Sequence, residues 1–182
     1  MSETEKRENY EMYGLKKVGK NRYRESAGAY YEDFNVGDVF EHRPGRTISE
    51  ADNTWFTLLT MNTHPIHFDH AYAAKSDFRQ PLINSTLTLA IVTGMSVTTT
   101  SQKSIANLGW TDITLPAPVF AGDTIYAETE ILDKRESKSR KDNGIITVET
   151  SGLKADSTVV LNMKRSFMAA RIGSAVDDRS GY

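Results

Sequence analysis

The chain of 182 residues has no cysteine, which excludes a disulfide framework, a thiolate metal site and a thiol nucleophile. A reducing compartment suits such a chain, and the expected location is cytoplasmic. It has no run approaching the roughly twenty apolar residues of a membrane span, and Met1 to Tyr10 is charged where a signal peptide needs an apolar core. No membrane partner is expected. Nor is there much excess charge: the formal net of −2 argues against a surface built for nucleic acid, and no nucleic-acid partner is expected. A local basic run, Lys16, Lys17, Lys20, Arg22 and Arg24 with Tyr10, Tyr13 and Tyr23 nearby, reads as a solvated arm or a subunit contact. Internal repeats, low-complexity segments and a glycine-rich phosphate loop are all missing.

What is present suits one domain, long enough to bury a core without staples. Residues 1–33 are polar, without sustained apolar periodicity, and read as an N-terminal arm; 34–172 form the domain, and 173–182 a flexible tail. Asn35 to Asp38 is a turn, and Val39 to Ile48 is a strand interrupted at Pro44-Gly45. Ser49 or Asp52 can cap a helix to about Met61, with Trp55, Leu58 and Leu59 as the buried stripe. His64-Pro65 ends it, and a short helix follows around His70 to Ser76. Asn84 to Val97 carries Leu87, Ala90, Ile91, Gly94 and Met95 at helical spacing and no charged side chain, so it should be a buried central helix.

The remainder reads as strand: Ile105 to Leu115 with a Gly109-Trp110 kink, Asp123 to Asp133, Ile145 to Leu153 and Thr158 to Ala169. Asp142-Asn143-Gly144 and Asp156-Ser157 mark hairpin turns of a three-strand meander. The charged run Lys134 to Lys141 reads as solvated strand ends. An uncharged helix followed by a long antiparallel sheet implies α+β architecture, a single hot-dog domain in which the sheet wraps the helix. Such a sheet keeps an open edge, and pairing two edges in a symmetric homodimer, or a higher assembly of dimers, would satisfy the backbone.

The chemistry should lie in Asn62 to His70. Three of the four histidines, His64, His67 and His70, fall there beside Pro65 and Asp69. Imidazole gives and takes protons near neutral pH, and proline limits the directions in which the loop can present it. A zinc site from His64, His67, His70 and Asp69 can be written, but Pro65 prevents one regular helix from presenting all three rings, and no metal is expected.

The stretch Asn62-Thr63-His64-Pro65-Ile66-His67-Phe68-Asp69, with Ala71, Ala73 and Ala74 after it, resembles the Asp-x-Asn-Pro-x-His-x-Asp pattern of MaoC-like (R)-specific enoyl-CoA hydratases. Pro118-Val119-Phe120-Ala121-Gly122-Asp123-Thr124 is similar to that family's Pro-Val-x-x-Gly-Asp-Thr strand entry. Asn84-Ser85 stands where the family has His-Gly at the start of the central helix. These variants, with Ala106 to Trp110, look most like the mesaconyl-CoA and itaconyl-CoA hydratase branch. The resemblance spans about residues 34–172 and implies reversible hydration or dehydration of a 2-enoyl-CoA, a short branched dicarboxylic one such as mesaconyl-CoA, with no cofactor beyond the CoA of the substrate.

Such a reaction needs a base for water, an acid for the α-carbon and donors for an enolate oxygen. On the resemblance, His67 is the base, and backbone N–H groups around Asn84 and Ser85 are the donors. Asn62 replaces the family's aspartate; an amide cannot take a proton but can orient water. Asn62 read simply as a helix terminator is the plainer alternative. A dicarboxylic substrate needs a cation for its far carboxylate, which His64 or Arg79 can supply, although each equally suits a structural role. Asp69 reads as a turn or cap. Two rival functions share the fold. A hot-dog thioesterase generally relies on a carboxylate on or near the central helix, where Asn84 to Val97 has none. A non-catalytic acyl-CoA-binding protein would treat Asn62 as the sign of lost chemistry.

Overall fold

Residues 14–182 are described by the computed structural model; the first 13, with Tyr10 and Tyr13 of the expected arm, lie outside the described residues. A hairpin opens the described chain, with β1 at Leu15–Gly19 and β2 at Arg22–Glu25, and it exposes the basic run to solvent. Then come β3 (Val39–Thr47), α1 (Glu50–Leu59), α2 (His70–Ala73) and α3 (Ser85–Ser96). The sheet is completed by β4 (Ser104–Thr114), β5 (Thr124–Glu136), β6 (Asn143–Lys154) and β7 (Val159–Ala170), before a terminal α4 (Val176–Ser180). The residues expected to form a flexible tail include this helix, and Asp178 on it accepts a 2.7 Å hydrogen bond from the Tyr30 hydroxyl.

β3, β5, β6, β7 and β4, in that order, form one antiparallel sheet, with β5-β6-β7 the expected meander. α3 lies across its inner face, so the α+β hot-dog arrangement read from the sequence is the one observed. Leu87 and Val92 of α3 pack with Ile125, Ala127, Val160, Leu161 and Met163 of the sheet. Full burial of such side chains contributes about 1.5–3 kcal/mol each, which anchors the helix. A Cβ on Gly152 would stand 2.6 Å from a Val92 methyl, so the helix can come this close only over glycine. A second cluster joins Ile131, Ile146, Val148, Phe167 and Ala169 to Ala29, Tyr31 and Phe34.

The segment Pro118 to Thr124 ties β3 to β5. Gly122 N–H donates to the Ile48 carbonyl at 2.8 Å, Ile48 N–H donates to Asp123 at 3.0 Å, and the Asp123 carboxylate accepts the Phe120 N–H at 2.9 Å. Gly109 lies between register shifts of β4, as its kink foretold.

Three expectations need correction. The Asp142-Asn143-Gly144 turn lies earlier: Asn143 and Gly144 already pair with Ala170 and Ala169, and the loop occupies 137–142. Gly144 is glycine because the Tyr31 ring sits where a Cβ would stand, 2.0 Å away. The stripe on α1 points the other way: Trp55 is 77% and Leu59 81% exposed, Leu58 is exposed too, and Asn53 and Thr57 are buried. Finally, α3 is buried on one face only. Leu87, Thr88, Val92 and Ser96 face the sheet, while Ser85, Thr86, Ala90 and Gly94 are exposed.

Candidate active site

The loop that carries His67 starts where α1 stops. Ser49 opens α1 with a capping box: its hydroxyl accepts the Asp52 N–H at 3.1 Å and its own N–H donates to the Asp52 carboxylate at 2.9 Å. Met61, at φ 62°, turns the chain out of the helix, and Asn62 Oδ1 then accepts the His64 N–H at 3.0 Å. His64 Nδ1 in turn accepts the Ile66 N–H at 3.2 Å, heading a single 3-10 turn at Pro65–His67. With Nδ1 as acceptor, the neutral His64 ring carries its hydrogen on Nε2.

His67 is oriented by the opposite nitrogen. Its Nδ1 lies 2.8 Å from the Leu82 carbonyl oxygen, which can only accept, so Nδ1 donates and Nε2 of the neutral ring keeps a free lone pair. The His64 and His67 ring centroids are 5.9 Å apart, at 63°. Leu82 N–H also donates to the Ile66 carbonyl at 3.1 Å, so the strand leading into α3 is stitched to the histidine loop on both sides of Leu82.

A residue that the sequence reading assigned no role joins these parts. Asn53, 2% exposed on the inner face of α1, donates from Nδ2 to the carbonyls of His67 (2.7 Å) and Leu82 (3.1 Å). Its Oδ1 accepts the Asn84 N–H at 2.8 Å. One side chain thus holds the His67 loop, the Leu82 carbonyl and the entry to α3 in register. The available signal was an asparagine on the polar side of α1, four positions before Thr57, whose hydroxyl receives the Asn84 amide at 3.2 Å.

Asn84 is the N-cap of α3: its Oδ1 accepts the Thr86 N–H at 3.0 Å and the Thr86 hydroxyl at 2.7 Å. Leu87 and Thr88 N–H turn back to the Asn84 carbonyl. Ser85 N–H has no acceptor among the described residues. The helix start is therefore not buried as a whole: Asn84 is 3% exposed, but Ser85 and Thr86 face solvent. The Ser85 N–H sits at the positive end of the helix, where a developing negative charge is stabilised.

The other expected groups lie around this core or outside it. Asp69 caps α2 by accepting the Tyr72 N–H at 3.0 Å. His70 Nε2 is 2.7 Å from Glu50 in an exposed pair. Arg79, at φ 60° in an exposed turn, rests Nη1 3.5 Å from the Ala74 carbonyl, and no hydrogen bond among the described residues ties it to the histidine loop. No group of three or more His, Asp or Glu side chains among the described residues is arranged to hold a metal ion.

The fourth histidine differs in kind. His42 on β3 is 1% exposed, with Nε2 2.7 Å from the Thr129 hydroxyl and Nδ1 2.7 Å from that of Thr99. Burial, reinforced by the charges of Arg165 and Arg43, pushes its pKa down to about 4, so at neutral pH it is an uncharged strut under the far end of α3.

The chain as a whole is similar to known proteins. The chain is 27% identical over 150 residues to a mesaconyl-CoA hydratase of Cereibacter sphaeroides, an alignment covering 82% of this chain and 43% of that one. A putative MaoC domain dehydratase of Chloroflexus aurantiacus superposes with a TM-score of 0.76 at 29% identity, over 80% of this chain and 41% of that one. A conserved Mycobacterium tuberculosis protein with a double hotdog fold, 24% identical, shares the fold at a TM-score of 0.72, over 79% of this chain and 44% of that one. The chain thus spans about two-fifths of the length of the relatives it matches. With the mesaconyl-CoA hydratase family model matching residues 15–181, nearly the whole described chain, the protein belongs to that family.

Proposed function

We infer that the chain catalyses reversible addition of water to the double bond of a 2-enoyl-CoA. The observation that carries this reading is the His67 ring, held through Nδ1 by the Leu82 carbonyl with Nε2 left to take a proton, stitched by Asn53 to the start of α3. In the hydration direction, His67 Nε2 accepts a proton from water as its oxygen adds to the β-carbon. The Asn62 amide, whose Oδ1 is occupied by the His64 N–H, orients that water through its Nδ2. The enolate oxygen that develops is received by Ser85 N–H, with the Asn84 cap keeping that amide in place. The proton on His67 then passes to the α-carbon, which leaves the ring neutral for the next cycle.

The substrate in this reading is a short, branched dicarboxylic acyl-CoA such as mesaconyl-CoA. Support comes from the names of the relatives, which include mesaconyl-CoA hydratases and a β-methylmalyl-CoA dehydratase. His64 Nε2–H, on the ring beside His67, is the donor for the far carboxylate. Arg79 enters only through its charge. The reading uses no cofactor, since CoA arrives with the substrate, and it places the protein in the cytoplasm with its CoA thioesters.

A second copy of the chain belongs to the same reading. β4 is a sheet edge, and its Ile105, Leu108, Trp110 and Ile113 are all exposed. Pairing two such edges gives a homodimer.

Incubation with crotonyl-, mesaconyl- and itaconyl-CoA, following loss of conjugation and free thiol release together, tests reaction class and substrate charge. Loss of conjugation without thiol, fastest on a dicarboxylic substrate, is the expected result. Thiol release instead would mean a thioesterase, activity on crotonyl-CoA alone would remove the dicarboxylic substrate, and binding without turnover would leave an acyl-CoA carrier.

A further inference from the structure

The basic run Lys16 to Arg24 plays no part in the His67 site. It makes up most of the hairpin β1–β2, where Lys16, Lys17, Lys20, Arg22 and Arg24 stand beside one carboxylate, Glu25, in a chain whose net charge is −2. All five cations are exposed, and none is in an ion pair among the described residues. Arg24 donates to the Gly181 carbonyl. Lys16 lies directly across the ladder from Arg24, and like charges facing each other on two strands are destabilising. A bound anion would relieve that repulsion.

The hairpin is fixed to the Ser104 end of β4. Gly28 N–H donates to the Thr98 carbonyl at 2.6 Å, and Lys103 Nζ donates to Ser26 Oγ at 3.3 Å and to the Gly28 carbonyl at 2.9 Å. The opposite end, Thr114, leads to Val119, whose carbonyl accepts the Ile83 N–H at 2.9 Å, one residue before Asn84. At about 3.3 Å per residue, the two ends of β4 are roughly 33 Å apart, so the hairpin is remote from the Ser85 and His67 of its own chain. Two-fold pairing of β4 edges changes that relation. Such pairing is antiparallel, so the Ser104 end of one copy lies beside the Thr114 end of the other, with the two strands about 4.8 Å apart. The partner's hairpin is thereby carried to the end of the sheet that holds this copy's His67 loop.

We propose that each site is completed by the hairpin of a second copy, whose Lys17, Lys20 and Arg22 hold the phosphate groups of the CoA. These phosphates lie at the opposite end of the pantetheine arm from the thioester, so their cations are needed at a distance from His67. Exposed side chains serve them as point charges, with a strength that falls as salt rises. The inference rests on the hydratase reading for its ligand and on β4 pairing for the second copy.

Calorimetric titration with CoA and with pantetheine, which lacks the phosphates, reads this without turnover. Wild type should bind CoA at least about tenfold more tightly than pantetheine, by a margin that shrinks at high salt. Lys17→Gln, Lys20→Gln and Arg22→Gln together, all at exposed positions, should bring CoA down to the level of pantetheine. Mixed dimers then identify which chain supplies the cations: one chain carries the triple substitution, and the other an intact hairpin with Ser85→Trp, which fills the helix start. Binding across the copies predicts one CoA site of wild-type affinity per mixed dimer. No tight site in the mixed dimer would mean that each chain uses its own hairpin, and would overturn the proposal. Equal affinity of wild type for CoA and pantetheine, unchanged CoA affinity after the triple substitution, or a wild type that sediments as a monomer would overturn it too. If CoA binds across the mixed dimer as expected while wild type leaves every enoyl-CoA conjugated, the hydratase reading fails and the assignment of the hairpin stands.

Discussion

His67 Nδ1 lies 2.8 Å from the carbonyl oxygen of Leu82, and this contact decides which nitrogen of the ring can take a proton. A carbonyl oxygen has nothing to donate, so Nδ1 must carry the hydrogen in the neutral ring. His67→Asn should keep a donor to Leu82, fold with a nearly unchanged melting temperature, and lose turnover roughly 10²- to 10⁴-fold. Comparison of kcat with thermal melting checks this; wild-type turnover in the variant would end the role of His67 as base.

Asn53 should matter to both stability and rate. Asn53→Ala leaves the His67 and Leu82 carbonyls and the Asn84 N–H without their partner, which costs about 2–4 kcal/mol for three bonds of this type. Urea unfolding should show that loss, and kcat on an enoyl-CoA should fall with it, because the loop and helix entry are no longer held in register.

Asn62 separates a water-orienting role from a helix-ending one. Asn62→Ala should lower kcat about tenfold or more while leaving KM within a few-fold, because the amide acts on water rather than on the thioester. If kcat stays near wild type, the residue only receives the His64 N–H.

His42 predicts a stability change with acid. Its folded pKa of about 4 lies below the usual histidine value, so the folded state binds fewer protons than the unfolded chain over that interval. Its contribution is complete above about pH 6.5 and disappears as pH falls towards 4; at about 1.4 kcal/mol per pKa unit it approaches 3 kcal/mol. Chemical denaturation at pH 7 and pH 4.5 should show wild type losing more stability than His42→Gln.

Ile113 tests the edge of the sheet. It is 41% exposed on β4, and Ile113→Lys places a charge where two edges would meet. Analytical ultracentrifugation should show dimeric wild type and a shift of the variant towards monomer; a monomeric wild type would remove the homodimer from the reading.

The sheet and its helix were legible because their signals are local. An uncharged run from Asn84 to Val97, β-branched alternation and turn residues each leave a mark on the residues that form the element. The His67 loop was legible for the same reason, since Pro65 and three histidines stand together. What could not be read is which partner a group finds. The oxygen that orients His67 belongs to the backbone of Leu82, and a backbone carbonyl has no letter of its own. The apolar stripe Trp55, Leu58 and Leu59 was visible, but its direction was not. Helical periodicity gives a face, and here hydrogen bonding by Asn53 and Thr57 turned the polar face inward. Arg165 leaves a local mark of its own, an arginine in the inward register of a strand between Met163 and Phe167.

The sheet order also shapes how the protein emerges during synthesis. β4 leaves the ribosome before β5, β6 and β7, yet the strand it bonds to in the sheet is β7, the last of them. While residues 115–158 are made, its isoleucines and tryptophan therefore wait without that neighbour, so a pause before Val159 would hold the nascent chain with an apolar strand unpaired, a state that a holding chaperone can grip.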